Sequence, residues 1–385
     1  MNILQILSNT LGQILSPTTI GFALAATGLA LHFGFTGLLN MGVAGFMAVG
    51  AYGFAISILT FGLPWWVAAL IGIACAIVFA LILGLPTLRL RGDYLSIVAI
   101  AAAEVIRLMF LTTAFTPVTG SPDGLSGFPS GFRAANPLPQ FSGNAGIGPW
   151  MYSRDQWWVI IIGIVLVAIS VLLVWSLMRS PWGRVIKGIR EDEDAVRALG
   201  KNVFAFKLQS LVIGGVIISL GGIITAMGTN VNPNVYVTSQ TFFIWTALLL
   251  GGAATIFGPV LGAVLFWVVR AFLSNIMPAL VSIGALPFLS NEQAQMLVFV
   301  LIGVALMLLV IFRPQGILGN KKELTFVKCS LRARRPAQAD GTPQGRYQAR
   351  RGQGRSDHRR HPLTSGHGTL RHGLRHGLRK RPTRP

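Results

Sequence analysis

Few residues in this chain have types and spacing suited to covalent or metal chemistry. The two cysteines are Cys75, inside a long apolar run, and Cys329, near the far end, so neither a disulfide framework nor a multi-cysteine metal site is expected. Five of the six histidines (His358, His361, His367, His372 and His376) fall after residue 350. That leaves His32 alone in the apolar body, where a lone histidine reads as a packing residue. No nucleophile–base pair and no zinc spacing is present, so catalysis has no constellation to stand on. The phosphate cradle Gly-x-x-x-x-Gly-Lys-[Ser/Thr] is missing as well, because Gly200-Lys201 is followed by Asn202 and lacks the leading glycine. The chain is not expected to hydrolyse ATP itself. Two polar groupings remain. Glu104 and Arg107 form an i, i+3 pair inside an apolar run, and Asp192-Glu193-Asp194 opens a short stretch that ends at Gly200.

The elements that must carry these groups are apolar and long. Hydrophobic residues make up 52% of the 385 and charged residues 11%, against roughly 25% charged in an average soluble domain. The net charge of +20 suggests a nucleic-acid binder only until it is split along the chain. Residues 321–385 hold 18 of the 32 basic and 3 of the 12 acidic residues, a surplus of +15, which leaves +5 on residues 1–320. No nucleic-acid partner is expected of this body, and an ordinary soluble enzyme is excluded.

A bilayer core needs about 20 mostly apolar residues per helix. Such runs lie near 14–34, 38–60, 64–88, 93–112, 157–178, 208–228 and 294–312. The stretch 242–277 is too long for one span and is interrupted by Gly251-Gly252 and Gly258-Pro259, which predicts two shorter spans, 242–256 and 259–277. The fold class is therefore an all-α polytopic transmembrane bundle of about nine spans, some short or broken. Residues 1–320 form the membrane domain. Continuous runs without alternation argue against a β-barrel.

Lys and Arg in short loops set orientation. Loop 179–207 carries seven (Arg179, Arg184, Lys187, Arg190, Arg197, Lys201 and Lys207), whereas 229–241 carries none. Placing 179–207 in the cytoplasm also puts Arg89, Arg91 and Arg313 there. It puts the Gly/Pro/Ser-rich loop 113–156 outside, with the N-terminus outside and the C-terminus inside.

Within 179–207, the acidic residues at 192–194 favour a helix start and Gly200 a helix stop, predicting one and a half to two turns. A helix this short is unstable alone. Either a cytoplasmic partner holds it or it is a solvated hairpin. Gly42, Gly45, Gly50 and Gly53 recur on the span 38–60, where small residues let helix backbones approach closely.

Asp194-Ala195-Val196-Arg197-Ala198-Leu199-Gly200 resembles the Glu-Ala-Ala-x-x-x-Gly motif of ABC importer permeases, with Asp for Glu and Val for the second Ala. The wider chain, over about 18–320, resembles permease subunits of branched-chain amino-acid ABC transporters. The matching strings are Gly37-Leu38-Leu39-Asn40-Met41-Gly42 with Gly50-Ala51-Tyr52, Arg91-Gly92-Asp93-Tyr94-Leu95, Glu104-Val105-Ile106-Arg107 and Thr119 to Gly127. Gly251-Gly252, Gly258-Pro259-Val260-Leu261-Gly262-Ala263 and Arg313 to Gly319 complete the series. Ser121 and Ala254 stand where the family commonly has glycine, and close relatives carry urea or short amides.

The resemblance implies a bacterial inner-membrane permease subunit forming a pathway for branched-chain or other neutral amino acids. Its partners would be a second homologous permease subunit, two ATP-binding cassette subunits that bind the ATP and Mg, a periplasmic solute-binding protein and the lipid bilayer. No cofactor would be bound by this chain. Arg190, Glu191, Asp194, Ala195, Val196, Leu199 and Gly200 would couple to the ATPase. Asn40, Glu104 and Arg107 would line the pathway, the ion pair either meeting a zwitterionic substrate or fixing helix orientation. Gly42, Gly50, Gly251, Gly252, Gly258 and Gly262 would be structural. The rival from another class is a gradient-driven channel or secondary transporter, for which the body offers few intramembrane ionisable groups.

Beyond Gly319 the family pattern stops, and from Lys328 no Ile, Val, Met, Phe or Trp occurs, so residues 321–385 are expected to be a disordered Arg-rich tail. A lipid-binding arm, an RNA-binding arm and a non-native, out-of-frame extension are open readings. The abrupt change of composition favours the last.

Overall fold

A computed structural model describes residues 3–89, 94–139, 143–282, 290–312 and 316–319. The Arg91-Gly92-Asp93 string, Arg313 and the tail 321–385 lie outside them.

Two helices form the centre of the bundle. Helix α1 (Ile3–Gly12) leads into α2 (Pro17–Leu29), which is apolar on every side and buried almost throughout, as expected of a helix with no solvent face. Ser16 caps α2 by accepting from the Thr19 amide at 3.2 Å, with Pro17 at the first helical position. Helix α2 widens into a π turn at Ala30–Phe35 and stops. After it come α3 (Val43–Leu59), α4 (Trp65–Thr87), α5 (Tyr94–Leu111), the short α6 (Thr116–Thr119) and α7 (Ser130–Ala134), and α8 (Arg154–Arg179). Then follow α9 (Pro181–Glu191), α10 (Glu193–Ala198), α11 (Val203–Gly228), α12 (Thr238–Gly251), α13 (Gly258–Ser282) and α14 (Asn291–Phe312).

Helix α11 is the other central helix and crosses α2 at small residues. A Cβ on Gly28 would lie 2.7 Å from Ile218 Cγ1, and one on Gly21 would lie 2.7 Å from the Gly221 carbonyl. Without a hydrophobic drive between helices in lipid, such close backbone approach supplies the packing.

Among the described residues, six helices are long and apolar enough to cross a membrane: Pro17–Phe35, Trp65–Thr87, Tyr94–Leu111, Arg154–Arg179, Val203–Gly228 and Gly258–Val281. Helices α3 and α12, of 17 and 14 residues, are shorter, and α14 is an apolar helix of 22 residues. Among the described residues each of the nine expected apolar segments falls on a helix, and two of these helices, α3 and α12, are short. Helix α3 is shorter than the apolar run 38–60 for a local reason. The Asn40 side chain accepts the Gly42 amide at 2.8 Å and holds that stretch out of the helix. The expected break in 242–277 is present: Gly252 has φ 114°, and α13 begins at Gly258.

At one end of the bundle, loops pack on each other. Strand β1 (Ala145–Ile147) pairs antiparallel with β2 (Trp150–Tyr152) in the register Ala145↔Tyr152. Trp150 Nε1 donates to the Leu11 carbonyl at 3.0 Å, and Tyr152 Oη donates to that of Gly12, fastening the hairpin to α1. Burial pushes the Tyr152 phenol up, so it stays a neutral donor. Leu125 pairs with Val231, and Asn232 Nδ2 donates to the Pro122 carbonyl at 2.9 Å, joining the long loop to the one after α11. The opposite end carries α9 and α10.

Candidate functional site

Helices α9 and α10 are built by their caps. Ser180 accepts from the Gly183 amide at 3.4 Å, with Pro181 next in the chain, and this starts α9 directly after α8 ends. Gly183, Ile186 and Ile189 recur every three residues and are buried, while Arg184, Lys187 and Arg190 each keep an exposed part. Asp192 then accepts from the Ala195 amide at 3.0 Å and starts α10, which ends before Gly200 in the left-handed region at φ 74°. Sequence reasoning found α10 and its limits. It missed α9, whose two glycines obscure the pattern that Ser180-Pro181 announces.

The two helices pack through Val196, which is buried, and α10 is anchored by Glu193. Its carboxylate accepts from Arg197 Nη2 at 2.8 Å and from Lys207 Nζ at 2.5 Å, so one side chain ties α10 both to itself and to α11. Glu193 was not among the expected coupling residues, although its i, i+4 spacing to Arg197 was a legible signal. Asp194, Ala195, Leu199 and Gly200 are exposed, Leu199 at 78%. Glu191 is exposed as well.

Arg190 does something else. Its Nη1 donates at 2.5 Å to the Gly34 carbonyl, at the end of the π turn that closes α2. Its Cα, Cβ and Cγ lie 3.3–3.7 Å from where a Cβ on Gly37 would stand, and Gly37 has φ 77°. Gly34 in turn packs against the main chain of Ala253, in the break between α12 and α13.

Asn40 is fully buried, and its side chain and main-chain carbonyl are hydrogen-bonded. Nδ2 donates to His32 Nδ1 at 3.2 Å, Oδ1 accepts from the Gly42 amide, and the main-chain carbonyl accepts from Trp245 Nε1 at 3.2 Å. His32 donates through Nε2 to the Leu211 carbonyl at 3.1 Å. The knot joins α2, the 36–42 segment, α11 and α12, and in this structure Asn40 faces no opening.

Glu104 and Arg107 sit on the flank of α5 between its packed side (Leu95, Ser96, Ala99, Ala103) and its exposed side (Ile97, Val105, Leu108). Arg107 Nε donates to Glu104 Oε1 at 3.0 Å, and their side chains are 16% and 37% exposed respectively. Toward the hairpin end, Tyr52 stacks on Phe110 at 4.0 Å and meets Tyr236 edge-on at 6.5 Å. Burial pushes the Tyr236 phenol up.

The glycines mark close approaches. A Cβ on Gly42 would come 2.6 Å from the Ala99 carbonyl, and one on Gly50 would come 2.7 Å from Ser219 Cβ. Gly251, Gly258 and Gly262 pack against one another's main chain where α12 meets α13, and Gly252 carries the turn. Gly316, Ile317 and Leu318 close this corner. The Ile317 and Leu318 amides donate to the Leu250 and Gly251 carbonyls at 2.9 and 3.1 Å.

Residues 13–311 match the family described as branched-chain amino acid transport system / permease component. The chain belongs to this family. It is 30% identical over 312 residues to the high-affinity branched-chain amino acid transport system permease protein LivM of Escherichia coli (strain K12), covering 78% of this chain and 68% of that one. The probable branched-chain amino acid transport permease protein LivM of Methanocaldococcus jannaschii is 27% identical, covering 65% and 69%. The nucleoside ABC transporter permease protein NupC of Lactococcus lactis subsp. cremoris is 24% identical, covering 60% and 71%. The protein is thus a multi-pass membrane permease of the branched-chain amino acid ABC transporter family. Membership makes it a transport subunit and implies an ATPase and other transporter components as partners.

Proposed function

We propose that this chain pairs with a second homologous permease subunit to form the pathway of an importer for branched-chain or other neutral amino acids. Two ATP-binding cassette subunits bind the ATP and Mg and drive it, and a periplasmic solute-binding protein delivers the substrate. The site lies in a bacterial inner membrane, with α9 and α10 and the C-terminus in the cytoplasm and the N-terminus outside.

The observation that carries this reading is the α9–α10 pair. It is two capped helices at one end of the bundle, anchored to α11 by Glu193–Lys207, with Leu199 bare at the tip. Docked in an ATPase groove, such a pair moves as a rigid body when the ATPase subunits close, and that motion can alternate access between the two faces. The Glu104–Arg107 pair on α5 supplies both signs of charge at one level of the helix, as a zwitterionic solute requires. Ionisable groups within a span are costly and mark solute pathways in many transporters.

Two measurements test the reading. A cognate ATPase subunit should co-purify with this chain in detergent, and its absence from the complex would contradict the coupling assignment. The cognate binding protein should bind leucine, isoleucine or valine. Binding of urea, short amides or nucleosides in their place would keep the coupling mechanism and change the substrate.

A further inference from the structure

Seven basic residues lie in the 179–207 segment, and the long side chain of Arg190 turns back toward the membrane domain. It reaches a carbonyl that a helix end leaves without a main-chain partner. It also brings a cation to the negative end of the α2 dipole. The stem packs beside Gly37, whose φ of 77° favours glycine and where a Cβ would stand 3.3 Å from Arg190 Cγ. Beyond Gly34 the chain of packing continues to Ala253, in the second helix break, and Gly316 then abuts Gly252 on the far side of that break. Arg190 precedes Asp192, the cap at which α9 becomes α10, by two residues, so any reorientation of the helix pair is felt at its Cα.

We propose that Arg190 is a positioning residue that transmits movement of α9–α10 to the two helix breaks, 36–42 and 252–257, and does not contact the ATPase. This rests on the coupling reading above and names the residue through which the coupling acts. The guanidinium gives a directional bond to Gly34, and the methylene stem gives a lever against Gly37. Both breaks then respond to one side chain, because Gly34 and Ala253 share main-chain contact.

The test uses the complete transporter reconstituted in vesicles and reads solute taken up per ATP hydrolysed, alongside the amount of ATPase bound. Arg190→Ala is expected to hold the ATPase at wild-type level and to hydrolyse ATP, while uptake per ATP falls about tenfold, a coupling loss of ordinary size. Arg190→Lys, which keeps the cation and a donor, is expected to recover part of it. If Arg190→Ala does not reach the membrane, Arg190→Gln keeps the stem on Gly37 and is read the same way. Unchanged uptake per ATP overturns the proposal. Loss of ATPase binding also overturns it, by making Arg190 a docking residue. Wild-type uptake that needs no ATPase overturns the coupling reading itself.

Discussion

The Ile317 amide donates to the Leu250 carbonyl at 2.9 Å, and with Leu318 on Gly251 it caps a helix that ends inside the bundle. A helix end leaves carbonyls without intrahelical partners, and burying them unpaired costs free energy. The Gly316-Ile317-Leu318 string is therefore a structural plug for the α12–α13 break. Gly316 has φ 72°, and a Cβ there would stand only 2.6 Å from Gly252 Cα. Gly316→Ala should lower stability by at least about 1–2 kcal/mol, the cost of a left-handed side chain. The thermal midpoint of the purified protein measures this; an unchanged midpoint would show that the plug contributes nothing.

Asn40 is expected to act through folding and not through solute contact. Asn40→Ala leaves the Gly42 amide without its side-chain acceptor and His32 Nδ1 without its donor, each a loss of about 1–3 kcal/mol when buried. The folded fraction should fall sharply, while the molecules that do fold keep the wild-type substrate concentration for half-maximal uptake. A shifted half-maximal concentration at normal protein levels would instead place Asn40 in the pathway.

Glu104→Gln separates the two roles open to the ion pair. The Gln amide oxygen can still accept from Arg107 Nε, so the helix contact is kept while the charge is lost. If Glu104 meets solute, uptake should still fall by about tenfold, equivalent to about 1.4 kcal/mol on the transport barrier. Loss of assembly with the partner subunits would leave only the structural role.

How much of this was legible in the sequence depended on distance along the chain. The break at 251–258 could be read because Gly251-Gly252 and Gly258-Pro259 interrupt an apolar run, and α10 because Asp192 and Gly200 are local start and stop signals. The shortness of α3 was hidden, since it depends on the side chain of Asn40 competing for a main-chain amide. The inward reach of Arg190 was hidden more deeply, because its acceptor lies 156 residues away. Loop charge identified Arg190 as a residue of the cytoplasmic segment, and no local pattern could say which way it points.

Leu199 is 78% exposed. Leu199→Asp should leave thermal stability within about 0.5 kcal/mol of wild type, as surface substitutions usually do. It should also weaken ATPase association at least about tenfold, since a buried leucine is worth about 1.5–3 kcal/mol. Undiminished association would move the docking surface away from α10.

Solute uptake into vesicles that hold this subunit with its permease, ATPase and binding-protein partners tests the central claim most directly. Uptake is predicted to require ATP, to cease when the ATPase subunits are omitted, and to be indifferent to an imposed ion or proton gradient. Uptake that persists without the ATPase and follows the gradient would contradict the account and make the protein a channel or secondary transporter.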